Sequence, residues 1–284
     1  MTIFSFPLLS CTLLCSVVAQ DLSASKPEGN AKNHDSGSAL MDMSPSPGAQ
    51  SLFDGQTLTH WAPQKGDESY WKVADGNIQG GDLSAPVRGN RWLVSDKSYE
   101  NFELTFSVKF TDGGGTGLKN SGIQIRSWQM PRGIMGYQID AGPTAEGGRA
   151  AAKSRINNFG FGYWGNIWDE HRRGLIVNAE NIDRLTESIK QFDGWNQYKI
   201  VANGPNIKTW INGILAHDYT EEHPQIAADG IIALQAHAGG QFLVHFKDLA
   251  IKELPATPNS PKWADETTIK ERMIKPRPPK AQKK

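Results

Sequence analysis

The chain has 284 residues, with 30 Lys and Arg against 30 Asp and Glu, so no long-range field draws it to nucleic acid, a membrane surface or another polyion. Glycine (29) and tryptophan (9) are abundant; glycine serves turns, and aromatic rings serve cores or flat ligand platforms, including those that bind sugars. The length admits one domain or two, and an all-β sandwich often exceeds about 200 residues as one unit.

Residues 1–20 (MTIFSFPLLSCTLLCSVVAQ) hold an uncharged apolar run ending in Val17-Val18-Ala19. This predicts a secretory signal peptide over 1–19 and a secreted or periplasmic protein. A lipoprotein reading would use Cys11, but it leaves too short an apolar core. Both cysteines, Cys11 and Cys15, lie in the leader, so a mature chain would have no thiol, disulfide or cysteine metal ligand. No later stretch is apolar for long enough to form a transmembrane helix. Residues 20–50, rich in Ser, Pro, Gly, Asn and Asp, show neither helical nor strand period and read as a flexible linker. The folded part is expected at 51–254, followed by a solvated Pro/Lys-rich tail at 255–284.

Within 51–254 the period is two. In Phe102-Glu-Leu-Thr-Phe-Ser-Val-Lys-Phe110 every even position is apolar and every odd one polar, as a half-buried strand requires. Asp75-Gly76 and Asn212-Gly213 are hairpin turns, because both pairs tolerate positive φ, and they join Tyr70–Val73 to Ile78 and Ile207–Ile211 to Ile214–Tyr219. Further strands fit 123–126, 137–140, 175–178, 198–202, 231–237 and 242–253; the best helix is Asn181–Lys190. So many short strands between turns predict an all-β fold, a two-sheet antiparallel β-sandwich of the jelly-roll kind. No repeat argues for a propeller or solenoid.

Alternation also predicts which side chains share a face. With Ile123 and Ile125 inward, Gln124 and Arg126 face outward. The same parity in Tyr137–Asp140 sets Gln138 beside Asp140, giving a Gln/Arg/Gln/Asp patch that an ordinary solvated face would also explain. The segment Gly160–Arg173 gathers Tyr163, Trp164, Trp168, Asp169, Glu170, His171, Arg172 and Arg173. Rings stack on sugars and charged groups bond hydroxyls or move protons, although such rings can equally fill a sandwich edge. Gln235 and His237 share one face, and a histidine titrating near neutrality can act as base or metal ligand; a lone histidine is more often structural.

The glycines of 113–117 lack the Gly-Lys-Ser/Thr ending of a phosphate loop, and no His-Glu-x-x-His, Gly-x-Ser-x-Gly or calcium-hand spacing occurs. Asp140, Asp169, Glu170 and His237 have donor chemistry for a divalent metal, but no ligand spacing supports one and the sequence requires no cofactor.

Ser51–Trp61, Trp71–Gly76, Asn101–Leu104, Asn120–Arg126, Gly136–Asp140 and the closing strand Phe246–Leu254 together resemble the 3-keto-disaccharide hydrolase domain family, in order across 51–254. The resemblance implies a concanavalin-like jelly roll in an exported bacterial protein that acts on 3-keto-glycosides. A C3 ketone acidifies the C2 hydrogen, so a base can remove it, the C1 aglycone leaves, and water adds. On that reading Asp140, Glu170 or His237 is base or acid, and Arg126 and Gln138 stabilise the oxyanion. Trp164 stacks on the sugar, and Asn120, Gln124, Trp168, Asp169, Arg172 and Gln235 contact it. Many relatives carry a Glu ahead of the Gln in the 136–140 strand; this chain has Gly136 and Tyr137 there and offers Asp169 and Glu170 instead. Residues 143–158 look like a longer rim than usual. An upstream sugar 3-oxidase is the partner this chemistry implies. The rival reading is a non-catalytic lectin-like carbohydrate-binding module, since the architecture hosts both.

Overall fold

The computed structural model describes residues 39–114, 117–144, 164–190 and 192–264. The expected leader at 1–19, the linker at 20–38, most of the long rim and the tail from 265 lie outside the described residues. Two antiparallel sheets pack face to face as a jelly-roll sandwich. The back sheet runs β13 (Ile214–Thr220), β12 (Asn206–Ile211), β11 (Asn196–Asn203), β6 (Phe102–Asp112), β15 (Phe242–Glu253), β4 (Asn77–Asp82) and β3 (Trp71–Ala74), with β1 (Gln50–Ser51) added along β15. The front sheet runs β10 (Gly174–Val177), β9 (Ile167–Glu170), β8 (Ile134–Thr144), β7 (Lys119–Gln129), β14 (Gly230–Ala236), β5 (Arg91–Tyr99) and β2 (Trp61–Pro63).

Alternation sorts the core as expected. Phe102, Leu104, Phe106, Val108 and Phe110 of β6 are all buried against Ile123, Ile125, Tyr137 and Ile139 of the front sheet. Each such side chain contributes about 1.5–3 kcal/mol when withdrawn from water. Both hairpins have the required backbone: Asp75 and Gly76 at φ 53° and 70°, Asn212 and Gly213 at 50° and 83°. The one regular α-helix among the described residues, α1 (Ile182–Ser188), lies within the stretch expected to be helical.

The strands expected from the sequence do not include β5, whose outward Trp92 and Val94 break a simple apolar/polar alternation, or β9. The fold also extends past both expected borders. Met41 donates its amide to Gly213 O (2.9 Å), and Lys199 reaches the carbonyl of Asp42 (3.3 Å), so residues 39–50 lie along the back sheet rather than as a free linker. At the other end Trp263 is buried against Met135 and Ala227 and stacks on Trp128 (6.3 Å, 29°). The expected tail is therefore held to the sandwich as far as Trp263.

Candidate active site on the front sheet

The register of β14, β7 and β8 sets two rows across the outer face of the front sheet. One row reads Trp92, Gln235, Gly122, Asp140; the next reads Val94, Ala233, Gln124, Gln138, Trp168. Glu170 stands opposite Gly136, on the same face as Trp168. Apolar Trp92, Val94, Ala233 and Ile134 pack as a strip beside these polar groups. Asn120 and His237 lie one step further along, joined by His237 N donating to Asn120 O (3.2 Å).

A hydrogen-bonded chain runs along the face. Ser127 Oγ donates to Gln124 Oε1 (2.7 Å), Gln124 Nε2 to Gln138 Oε1 (3.3 Å), and Gln138 Nε2 to Asp140 Oδ1 (2.9 Å). Gly122 makes this geometry available: a Cβ there would stand 2.6 Å from Gln138 Cγ and 2.9 Å from its Nε2. From the core side Tyr198 Oη donates to the Asp140 carbonyl (2.9 Å) and stacks on Phe106 at 4.8 Å, fixing the backbone that carries the carboxyl.

Four atoms of this face are buried without partners: Asn120 Oδ1, Asp140 Oδ2 and both amide atoms of Gln235. Leaving such a group unpaired costs about 1–3 kcal/mol, and unpaired polar groups that persist are candidates for ligand contacts. Burial pushes the Asp140 carboxyl up to about 8; Gln138 opposes this and the Glu170 charge adds to it. Burial, with Asp169, pushes Glu170 up to about 7. His237 is held below its ordinary range by burial, partly offset by the Ala238 carbonyl 2.8 Å from Nδ1. The face can therefore hold or release a proton near neutral pH at two carboxyls, which is the property acid–base catalysis requires. Among the described residues no three His, Cys, Asp or Glu side chains gather as a metal site.

The structure brings Asn120, Gln124, Gln138, Asp140, Trp168, Glu170, Gln235 and His237 to this face and takes four expected residues away. Arg126 sits in a β-bulge, where β7 carries one residue more than β8 or β14, at φ 47°. The bulge hands the outward position to Ser127 and turns Arg126 to the end of the sheet. There its guanidinium donates to Glu100 O, Gly204 O and Asn101 Oδ1, and burial lowers its pKa to about 10. Trp164 is 1 % exposed and edge-on to Phe110 in the core (5.8 Å, 78°), so it cannot stack on a ligand. Asp169 faces inward with Ile167, its oxygens taken by Arg172 Nε (2.7 Å) and Arg173 Nε (2.5 Å). The Arg172 guanidinium covers the rings of Tyr137 and Trp263. Parity within Ile167-Trp168-Asp169-Glu170 would have separated Asp169 from Glu170. Ser127 and Gly122 were missed, and nothing local announces a bulge.

Residues 48–252 match the family model described as the 3-keto-alpha-glucoside-1,2-lyase-like domain. Among solved structures, a glycosyl hydrolase candidate from Parabacteroides distasonis is 18% identical, with 72% of this chain and 93% of that one covered at a TM-score of 0.49. The carbohydrate-binding module CBM66 from Bacillus subtilis is 15% identical, with 69% and 96% covered at 0.47. No curated protein matches the chain.

Proposed function

The chain belongs to the 3-keto-alpha-glucoside-1,2-lyase-like family, and from that premise we propose that it cleaves 3-keto-glycosides, with Asp140 at the reacting centre. The C2 proton passes to a base, and its electron pair is held as an enolate over C2, C3 and the C3 oxygen. As the C1–O bond breaks that pair becomes the C1–C2 double bond of an enone, and the aglycone oxygen leaves with a proton. Water adds across C1 and C2, so the net change is hydrolysis. The observation that carries this reading is the buried, unpartnered Asp140 Oδ2, in one row across Gly122 with the equally unpartnered Gln235 amide. A carboxyl poised at about 8, electrostatically coupled to another at about 7, suits a reaction that takes one proton and gives one back.

In this reading Asp140 and Glu170 divide the base and acid roles. Gln235 Nε2 takes the oxyanion-stabilising place expected of Arg126, and Trp168 takes the platform role expected of Trp164. With Nδ1–H donated to Ala238 O, a neutral His237 would offer Nε2 to a sugar hydroxyl. The amide relay fits both states of Asp140, because an amide can present either end. With Asp140 ionised, donors run from Ser127 toward it. Once Asp140 is protonated, its O–H would donate to a turned Gln138, Gln138 to Gln124, and Gln124 to Ser127 Oγ. The Ser127 hydrogen then has Ile125 O, 2.8 Å away.

Export through the 1–19 leader and supply of the ketone by an upstream sugar 3-oxidase belong to the same proposal, since an unoxidised glycoside lacks the acidic C2 hydrogen. The test is p-nitrophenol release by protein lacking residues 1–19, from p-nitrophenyl 3-keto-glucoside and from the unoxidised glucoside. Release from the keto substrate alone is expected. Binding of either sugar with turnover of neither would replace the enzyme with a lectin-like module.

A further inference from the structure

On the back sheet a row of outward side chains crosses four strands: Lys72 of β3, Gln79 of β4, His245 of β15 and Lys109 of β6. Trp195, just ahead of β11, closes the row. Its partly exposed indole stands edge-on to the His245 ring at 6.4 Å and 77°. The ammonium of Lys109 lies 5.1 Å from the indole centroid, and that of Lys247 lies 4.6 Å from it.

One lysine on an indole is a favourable pair, but a second brings two like charges together and offsets part of that gain. Asp248 is the carboxylate in ion-pair range of either one, 3.6 Å from Lys247; Lys109 has no ion-pair partner among the described residues, and the charges of Asp193 and Asp75 act on the neighbouring His245. Asp193 accepts the Thr111 hydroxyl (2.8 Å). Because that hydrogen goes to Asp193, the 3.0 Å contact between Thr111 Oγ1 and His245 Nε2 has the imidazole as donor. His245 Nδ1 is then an acceptor, and it is buried with no partner.

We infer that this patch, separate from the front-sheet site, binds an acidic saccharide, a pyranose carrying a carboxylate or a sulfate. The C–H face of such a ring stacks on Trp195, and its anionic group neutralises Lys109 and Lys247. A ring hydroxyl meets His245 Nδ1 once the side chains above it part. A neutral sugar would use the indole and leave both ammonium groups unmet. A long polyanion would need an extended cationic stripe, which a chain of zero formal net charge does not suggest.

The test is calorimetric titration of the full chain with oligogalacturonate, with a sulfated, carboxylate-free galactan (carrageenan) oligosaccharide, and with a malto-oligosaccharide of equal length. At least one acidic ligand should bind with an affinity that falls as salt rises, the two arms separating carboxylate from sulfate recognition. The double variant Lys109→Gln/Lys247→Gln should weaken that binding about tenfold or more, as should Trp195→Ala. The lysine variant should keep the wild-type unfolding midpoint. The site is refuted if neither acidic ligand binds, or if binding survives the double substitution. Binding that is lost with the lysines but fully retained in Trp195→Ala also overturns it, as plain polyelectrolyte adsorption.

Discussion

On the front sheet the outward positions of β7, β8 and β14 carry amides and one carboxyl, buried and short of partners. On the back sheet the outward positions of β6 and β15 carry lysines and an imidazole that gather at one partly exposed indole. Both faces obey the same period of two, and they differ in what burial does to charge. A carboxyl withdrawn from water, with no cation acting on it among the described residues, is pushed up to about 8, which suits the proton transfer proposed for the front face. The ammonium groups meet at a partly exposed indole rather than in the core, so the back face suits recognition.

The sharpest way to break this contrast is Asp140→Asn. It should lower turnover of the 3-keto-glucoside by about 10²–10⁴, the range for losing a positioned acid or base, while acidic-saccharide binding at the back face stays unchanged. Comparable losses at both faces in paired kinetics and calorimetry would end the separation of roles. Next in size, Gly122→Ala sets a methyl against Gln138. Overpacking of that kind should cost about 1–3 kcal/mol in unfolding free energy and reduce kcat/KM by breaking the relay to Asp140, both measurable on one preparation.

Titration sharpens the comparison further. The keto-dependent rate should depend on pH in the window near 7–8 set by the two carboxyls. Removing one charge in Glu170→Gln should shift the Asp140 limb to lower pH, because the Glu170 charge raises it. Stability carries the same sign. A carboxyl raised in the folded state keeps a proton that the unfolded chain releases. Its contribution is complete below the unfolded value and is lost as pH rises through about 8. The unfolding midpoint should thus be higher at pH 5 than at pH 8.5, and Asp140→Asn should flatten that difference. The smallest effect is expected from Trp168→Ala: a KM raised about tenfold by loss of a stacking surface, with kcat little changed.

The sandwich, both hairpin turns and the inward rows of β6, β7 and β8 were legible in the sequence, because a period of two and Asp-Gly or Asn-Gly turns act over a few residues. The sequence also brought Gln124, Gln138, Asp140, Gln235 and His237 to outward positions, since each follows from the parity of its own strand. Tertiary structure alone decided the rest. A single added residue in β7 reversed the parity beyond Ile125, sending Arg126 to a cradle of carbonyls and putting Ser127 at the head of the relay. Packing drew Trp164 inside and committed Asp169 to two arginines, and it also withdrew Asp140 from water. Burial and partners come from strands distant in sequence, so no local pattern could have foretold a carboxyl that titrates near 8.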